Sequence, residues 1–132
     1  VIGTRFRWCM KKHGDVLLSW EGSILIVRCK GPFNDEGALA AINEINKSVS
    51  SRKVGTWYRL GIWDEETLGS PSTLKLVKDI HEWYIEKGCK IIAVVVCNSV
   101  QESVAENLFG STAKVFRIEA DAKKWLLSQS NT

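Results

Sequence analysis

The sequence predicts an α/β protein with a mixed five-stranded sheet and about four helices, in the order β-β-α-β-α-β-α-β-α. Three observations carry that prediction. Short runs that alternate in polarity or are rich in β-branched residues, such as 56–63 and 91–97, have the signature of strands. Segments with apolar residues at helical spacing lie between them, and strands alternating with helices imply parallel pairing through right-handed crossovers. The front of the chain differs. There, residues 16–20 and 24–30 flank Glu21-Gly22, a pair suited to closing an antiparallel hairpin because glycine tolerates positive φ.

Each element follows from its residues. Gly31-Pro32 ends the second strand, since proline offers no N–H to the ladder. Asn34 is placed to cap the first helix, with Asp35 and Glu36 at the positive end of its dipole. Ala38, Ala41, Ile42, Ile45 and Val49 form its buried face, and residues 48–53 read as the loop that follows. In the strand 56–63, Thr56, Tyr58, Leu60 and Ile62 share one side; Trp57, Arg59, Gly61 and Trp63 share the other. Residues 64–69 are an acidic loop. Ser70 then caps a second helix, with Pro71 at the position where its missing donor is harmless. Leu74, Val77, Ile80, Tyr84 and the neighbouring Trp83 line that helix, and Gly88 closes it. Residues 91–97 read as a central strand covered on both faces. Ser99 and Glu102 suggest a capping box for a third helix with the apolar row Val100, Val104 and Leu108. Residues 114–118 form a last strand, and 121–128 a terminal helix bearing Trp125 and Leu126.

At 132 residues the chain is one domain of ordinary size, long enough to need neither a structural metal nor a disulfide. Its 45% hydrophobic and 25% charged residues exclude collagen-like, low-complexity and disordered classes. The net charge of +3 is unevenly placed. Arg5, Arg7, Lys11 and Lys12 lie in residues 1–12, where there is no acid, so residues 13–132 are nearly neutral. We therefore divide the chain into a basic N-terminal arm, 1–12, and a single domain, 13–132. Residues 1–9 precede Met10 and read as a leader or an added extension. A folded part without a basic stripe argues against a nucleic-acid partner.

Cys9, Cys29, Cys89 and Cys97 show no CxxC or zinc-finger spacing, although Cys9 and Cys97 could meet in space. They read as small buried hydrophobes in a reduced, cytoplasmic setting. The longest apolar run is too short to span a bilayer, and the first residues lack the apolar core of a signal peptide.

No phosphate-binding loop, dinucleotide fingerprint, zinc-protease motif or nucleophile elbow is present, and His13 and His81 are far apart in sequence. His81 reads as a partly buried structural residue. Three groups remain as candidates. Asp64, Glu65 and Glu66 follow a strand, where α/β sheets place ligands; they suit a hard cation or a docking partner, or simply a solvated loop. Ser70, Ser72 and Thr73 stand at a helix start whose free N–H groups favour an anion or a phosphorylated hydroxyl; plain capping is the simpler alternative. Trp57, Trp63 and Trp83 are core residues or the lining of an apolar pocket. Six tryptophans in so short a chain also point to a homodimer that would hide some of them.

Several local patterns, taken together in order, resemble the STAS domain in its SpoIIAA-like branch over about residues 14–128. They are SILIVRCKGPFNDEGA, TWYRLGIWDEETLGSPSTL, KGCKIIAVVVC and VFRIEADAKKWL. In anti-sigma-factor antagonists of that family an Asp-Ser-Ser-Gly-Leu segment opens the second helix, and a partner kinase phosphorylates its second serine. Ser70-Pro71-Ser72-Thr73-Leu74 falls on that segment, so the resemblance implies Ser72 as phospho-acceptor. Ser70 stands where the family has aspartate and Thr73 where it has glycine. The tryptophan-rich pattern is closer to uncharacterised bacterial STAS-like proteins, whose fold is also similar to a lipid-binding domain. The expectation is therefore a non-enzymatic STAS-like regulatory or protein-interaction module of a bacterial cytoplasm, binding a protein partner or itself, without cofactor or metal. The alternative is a domain for a small apolar ligand or lipid with a Trp57/Trp63/Trp83 pocket. An enzyme would require Asp64, Glu65 or His81 to converge on one cleft.

Overall fold

Gly22 turns the chain with φ near +57°, and the two strands beside it pair as the hairpin that the sequence predicts. β1 (Asp15–Glu21) and β2 (Ile24–Lys30) run antiparallel, with Leu18 opposite Val27. The structure, a computed structural model, describes residues 11–52 and 55–130. Most of the N-terminal arm, including Cys9, and part of the expected 48–53 loop lie outside the described residues. β3 (Trp57–Trp63), β4 (Cys89–Val95) and β5 (Ala113–Phe116) add in turn, each parallel to the strand before it. The sheet order is β1-β2-β3-β4-β5.

Laying parallel strands down in sequence order sends every right-handed crossover to the same side. Helices α1 (Asp35–Ser51), α2 (Pro71–Glu86) and α3 (Ser99–Phe109) accordingly cover one face. After β5 no strand follows among the described residues, and α4 (Glu119–Ser130) packs on the other face. Two cores result. On the α4 side Ile24, Ile26, Tyr58, Leu60, Ala93 and Val95 pack against Ala122 and Leu126. On the opposite side Leu25, Val27, Trp57, Val94 and Val96 meet Ile45, Tyr84, Ala105 and Leu108.

The boundaries shift where local chemistry outweighs pattern. Ser48 accepts the Trp20 indole N–H at 2.8 Å, tying the last turn of α1 to β1, and the helix runs to Ser51 instead of giving way to a loop at residue 48. The central strand starts two residues before the predicted 91, because Gly88, at φ near +101°, ends α2 and delivers Cys89 directly opposite Trp57. Cys97, expected inside, is exposed, and its thiol donates to the Trp63 carbonyl. Asn98, not Ser99, caps α3 by accepting the Gln101 N–H at 2.9 Å, while Glu102 pairs with Arg117. Val100, placed in the apolar row of that helix, is exposed; Val104, Ala105 and Leu108 form the row instead. α4 begins at Glu119, whose carboxylate takes a two-pronged pair from Arg28 at 2.9 Å.

Trp20, Trp63, Trp83 and Trp125 are half-buried and Trp57 is fully buried. Of the described tryptophans, Trp57 alone is thus fully taken into a core. No described helix is long and apolar enough to cross a membrane.

Candidate functional site

Alternation along β3 turns Trp57, Arg59, Gly61 and Trp63 toward the three helices. Three of these suit an interior. Arg59 does not, yet it is only 6% exposed. Its guanidinium lies 4.8 Å over the Tyr84 ring and 5.6 Å from the Phe109 ring. Its Nη2 meets His81 Nδ1 at 2.6 Å. An arginine has only donors, so Nδ1 accepts and the histidine proton sits on Nε2. From there it donates to the Thr112 hydroxyl at 2.8 Å, which donates to the Phe109 carbonyl at 2.6 Å. Burial, and then the Arg59 charge, push His81 down to about 4, so the imidazole is neutral at neutral pH. Burial also lowers Arg59, but a guanidinium keeps its proton in proteins. No carboxylate pairs with Arg59 among the described residues.

Beside it lies a cavity of about 130 Å³. Its walls are Val27 and Gly61 from the sheet, Ile42 and Ile45 from α1, Leu74 and Val77 from α2, and Leu108 from α3, among others. Arg59 is the one charged residue along its described wall. Gly61 forms floor rather than filling: a Cβ there would find its nearest neighbour at 3.7 Å. Two wall residues each carry a buried polar atom without a hydrogen-bond partner, Arg59 at Nε and Tyr84 at its hydroxyl. Burial raises Tyr84 to about 12, so that hydroxyl stays protonated.

The sequence candidates fall around this cavity in different ways. Trp63 lines it. Trp57 sits in the core in edge contacts with Trp20 and Tyr84, its N–H bound to the Lys87 carbonyl, and Trp83 packs on Tyr84. Neither Trp57 nor Trp83 is among the lining residues.

The Asp64 carboxylate is engaged in building its own turn. It accepts from Gly31 N, Glu66 N and the Thr67 hydroxyl, the last at 2.7 Å. Burial opposes ionisation, but these donors hold the carboxyl below the usual range. Gln101, fully buried, clamps the same loop by donating to the Asp64 and Thr67 carbonyls. Glu65 and Glu66 are exposed, and no described cluster of histidine, cysteine and carboxylate groups could hold a metal. Asp64 and His81 share no bonding partner in these networks.

Ser70, Ser72 and Thr73 come together around a residue the sequence reading did not connect with them. Asp35, in the first turn of α1, accepts from the Ser72 hydroxyl at 3.0 Å and from the Thr73 hydroxyl at 2.6 Å. Ser70 Oγ accepts the Thr73 N–H and lies 3.0 Å from Ser72 Oγ. Asp35 thus fastens the start of α1 to the start of α2. Ser72 is exposed, whereas Thr73 is buried and borders the cavity. The signal for Arg59 and Gly61 was present in the alternation: a charge and a missing side chain on the inward side of a strand.

A five-stranded sheet entered by a hairpin, with three helices on one face and a terminal helix on the other, defines a SpoIIAA-like α/β fold. No protein-family model matches the chain, and no curated protein matches it. Among solved structures it is similar to an uncharacterised DUF3478-family protein with a SpoIIAA-like fold from Shewanella loihica. That likeness has a TM-score of 0.65 at 17% identity and covers 88% of this chain and 95% of the other. At this identity the likeness is one of fold.

Proposed function

We propose that this SpoIIAA-like chain is a non-enzymatic binding module of a bacterial cytoplasm that takes a small apolar molecule in the cavity between the sheet and α1–α3. The cavity itself carries the reading: about 130 Å³, walled by aliphatic side chains from the sheet and three helices. An engineered apolar cavity of about 150 Å³ binds benzene, so the space suits a molecule of one ring or a short alkyl chain. Trp63 on the wall supplies the readout. Titration with toluene and with hexanol is expected to change tryptophan emission and raise the melting temperature, and Trp63→Phe to remove most of the emission change. No binding of either compound, by emission or by melting temperature, overturns this reading.

A second reading, a docking or switch surface over residues 64–73 for a protein partner or a second copy, is favoured by one contact. The exposed Ser72 hydroxyl hydrogen-bonds to the Asp35 carboxylate. A phosphoryl group there would bring about −1.5 to −2 charge against Asp35 and push the starts of α1 and α2 apart. Incubation with ATP and a host extract, followed by mass spectrometry, is expected to show phosphate on Ser72. Phosphate on other residues only, or none, counts against the switch.

A further inference from the structure

The cavity wall is largely aliphatic, and two of its polar residues, Arg59 and Tyr84, carry unmatched groups. Arg59 and Tyr84 are 6% and 1% exposed. Arg59 Nε and the Tyr84 hydroxyl are each buried without a hydrogen-bond partner. The two side chains are neighbours, since the guanidinium stacks over the phenol ring. Buried polar groups in folded proteins almost always find partners, and two unpaired ones beside one cavity are uncommon. The charge is unbalanced too. Arg59's bonded neighbour is a neutral imidazole, which accepts one N–H and contributes no negative charge.

We propose that the cavity binds a small apolar acid as its carboxylate, with Arg59 as the anchor. The carboxylate would take the Arg59 Nε–H and the Tyr84 O–H, and its hydrocarbon part would lie among Ile42, Leu74, Val77 and Leu108. This inference rests on the reading of the cavity as a ligand site and adds the class of ligand. A carboxylate fits on three counts. It accepts only, where both free groups donate. It carries one negative charge against one positive charge. Its hydrogen bonds with a guanidinium are of the strong, charge-assisted kind. A phosphate dianion would leave a net negative charge in an apolar wall, and a neutral alcohol would leave the arginine unbalanced.

The test compares two acids with their neutral amides: benzoate against benzamide and hexanoate against hexanamide, by calorimetric titration of the wild-type chain. The acids are expected to bind at least about tenfold more tightly than the amides. Arg59→Met is expected to weaken the acids by about thirtyfold or more and to abolish their advantage over the amides, since it removes a buried partner of an ionised group. Tyr84→Phe is expected to weaken the acids about three- to tenfold. Amides binding as tightly as acids overturns the anchor and leaves the cavity reading standing. No binding by acids, amides, toluene or hexanol overturns both. Should Arg59→Met fail to fold, the wild-type comparison and Tyr84→Phe decide the matter.

Discussion

The two faces of the sheet were built from the same strands and differ in almost every other respect. The face under α4 is an aliphatic and aromatic interior, with Leu60, Ala93, Ala122 and Leu126 all fully buried. The face under α1–α3 contains a buried guanidinium, an inward glycine and the cavity. One helix packs close on its strands, whereas three helices must fit both the sheet and one another. The contrast shows where this chain departs from simple alternation. The side that obeys the pattern is a plain core, and the side that breaks it holds the buried charge and the cavity.

The largest effect should come from cutting equal leucines on the two faces. Leu126→Ala is expected to cost about 3–5 kcal/mol, because its packed surroundings cannot close over the gap. Leu108→Ala, a buried leucine on the cavity wall, is expected to cost about 2 kcal/mol, since part of its surface already lacks neighbours. Urea unfolding of both variants measures the difference, and equal losses would erase the distinction between the faces.

Next comes proton linkage at His81, on the cavity side. His81 is held near 4 in the fold, against about 6.5 when exposed. Between these values the unfolded chain binds a proton that the folded chain refuses, so stability falls as pH drops from about 6.5 to 4. The loss from this residue is roughly 3 kcal/mol when complete. Thermal melts across that window are expected to show the decline, and His81→Gln, which keeps an acceptor for Arg59, is expected to flatten it.

A smaller loss is expected at the loop after β3. Asp64→Ala strips three donors of their acceptor, and a cost of about 1–3 kcal/mol in chemical denaturation is the expected result.

The smallest effect has the opposite sign. Gly61→Ala places a methyl group at ordinary contact distance from Trp63 and Ile92. It is expected to stabilise the chain by about 0.4–1 kcal/mol while weakening ligand binding, because it restricts the unfolded backbone and reduces the space. Calorimetry and titration on one sample separate the two.

Much of the fold was legible because its signals are local. Glu21-Gly22 announces the hairpin, Asn34 and Ser70 cap the helices they were expected to cap, and Gly88 stops α2. The misplaced ends depend on distant partners instead. Trp20 extends α1 through Ser48, and Arg28 draws the start of α4 back to Glu119. The site was less legible for the same reason. Asp35 and Ser72 are 37 residues apart and meet only when two helix starts converge. Aromatic content alone did not separate Trp63, on the cavity wall, from Trp57, in the core beside it. Arg59 and Gly61 stood in the inward half of the alternation, but their meaning depended on Tyr84 and His81 arriving from α2.

The sequential strand order also governs how the chain can be made. During synthesis each strand of the sheet finds its partner already waiting, because that partner has just emerged from the ribosome. Pairings between sequence neighbours of this kind favour rapid folding. The α4 face is the exception, since Tyr58, Leu60 and Ala93 have no cover until the last of the described helices is translated. Through that interval the nascent chain displays an apolar surface, the kind of surface that chaperones recognise and that drives aggregation.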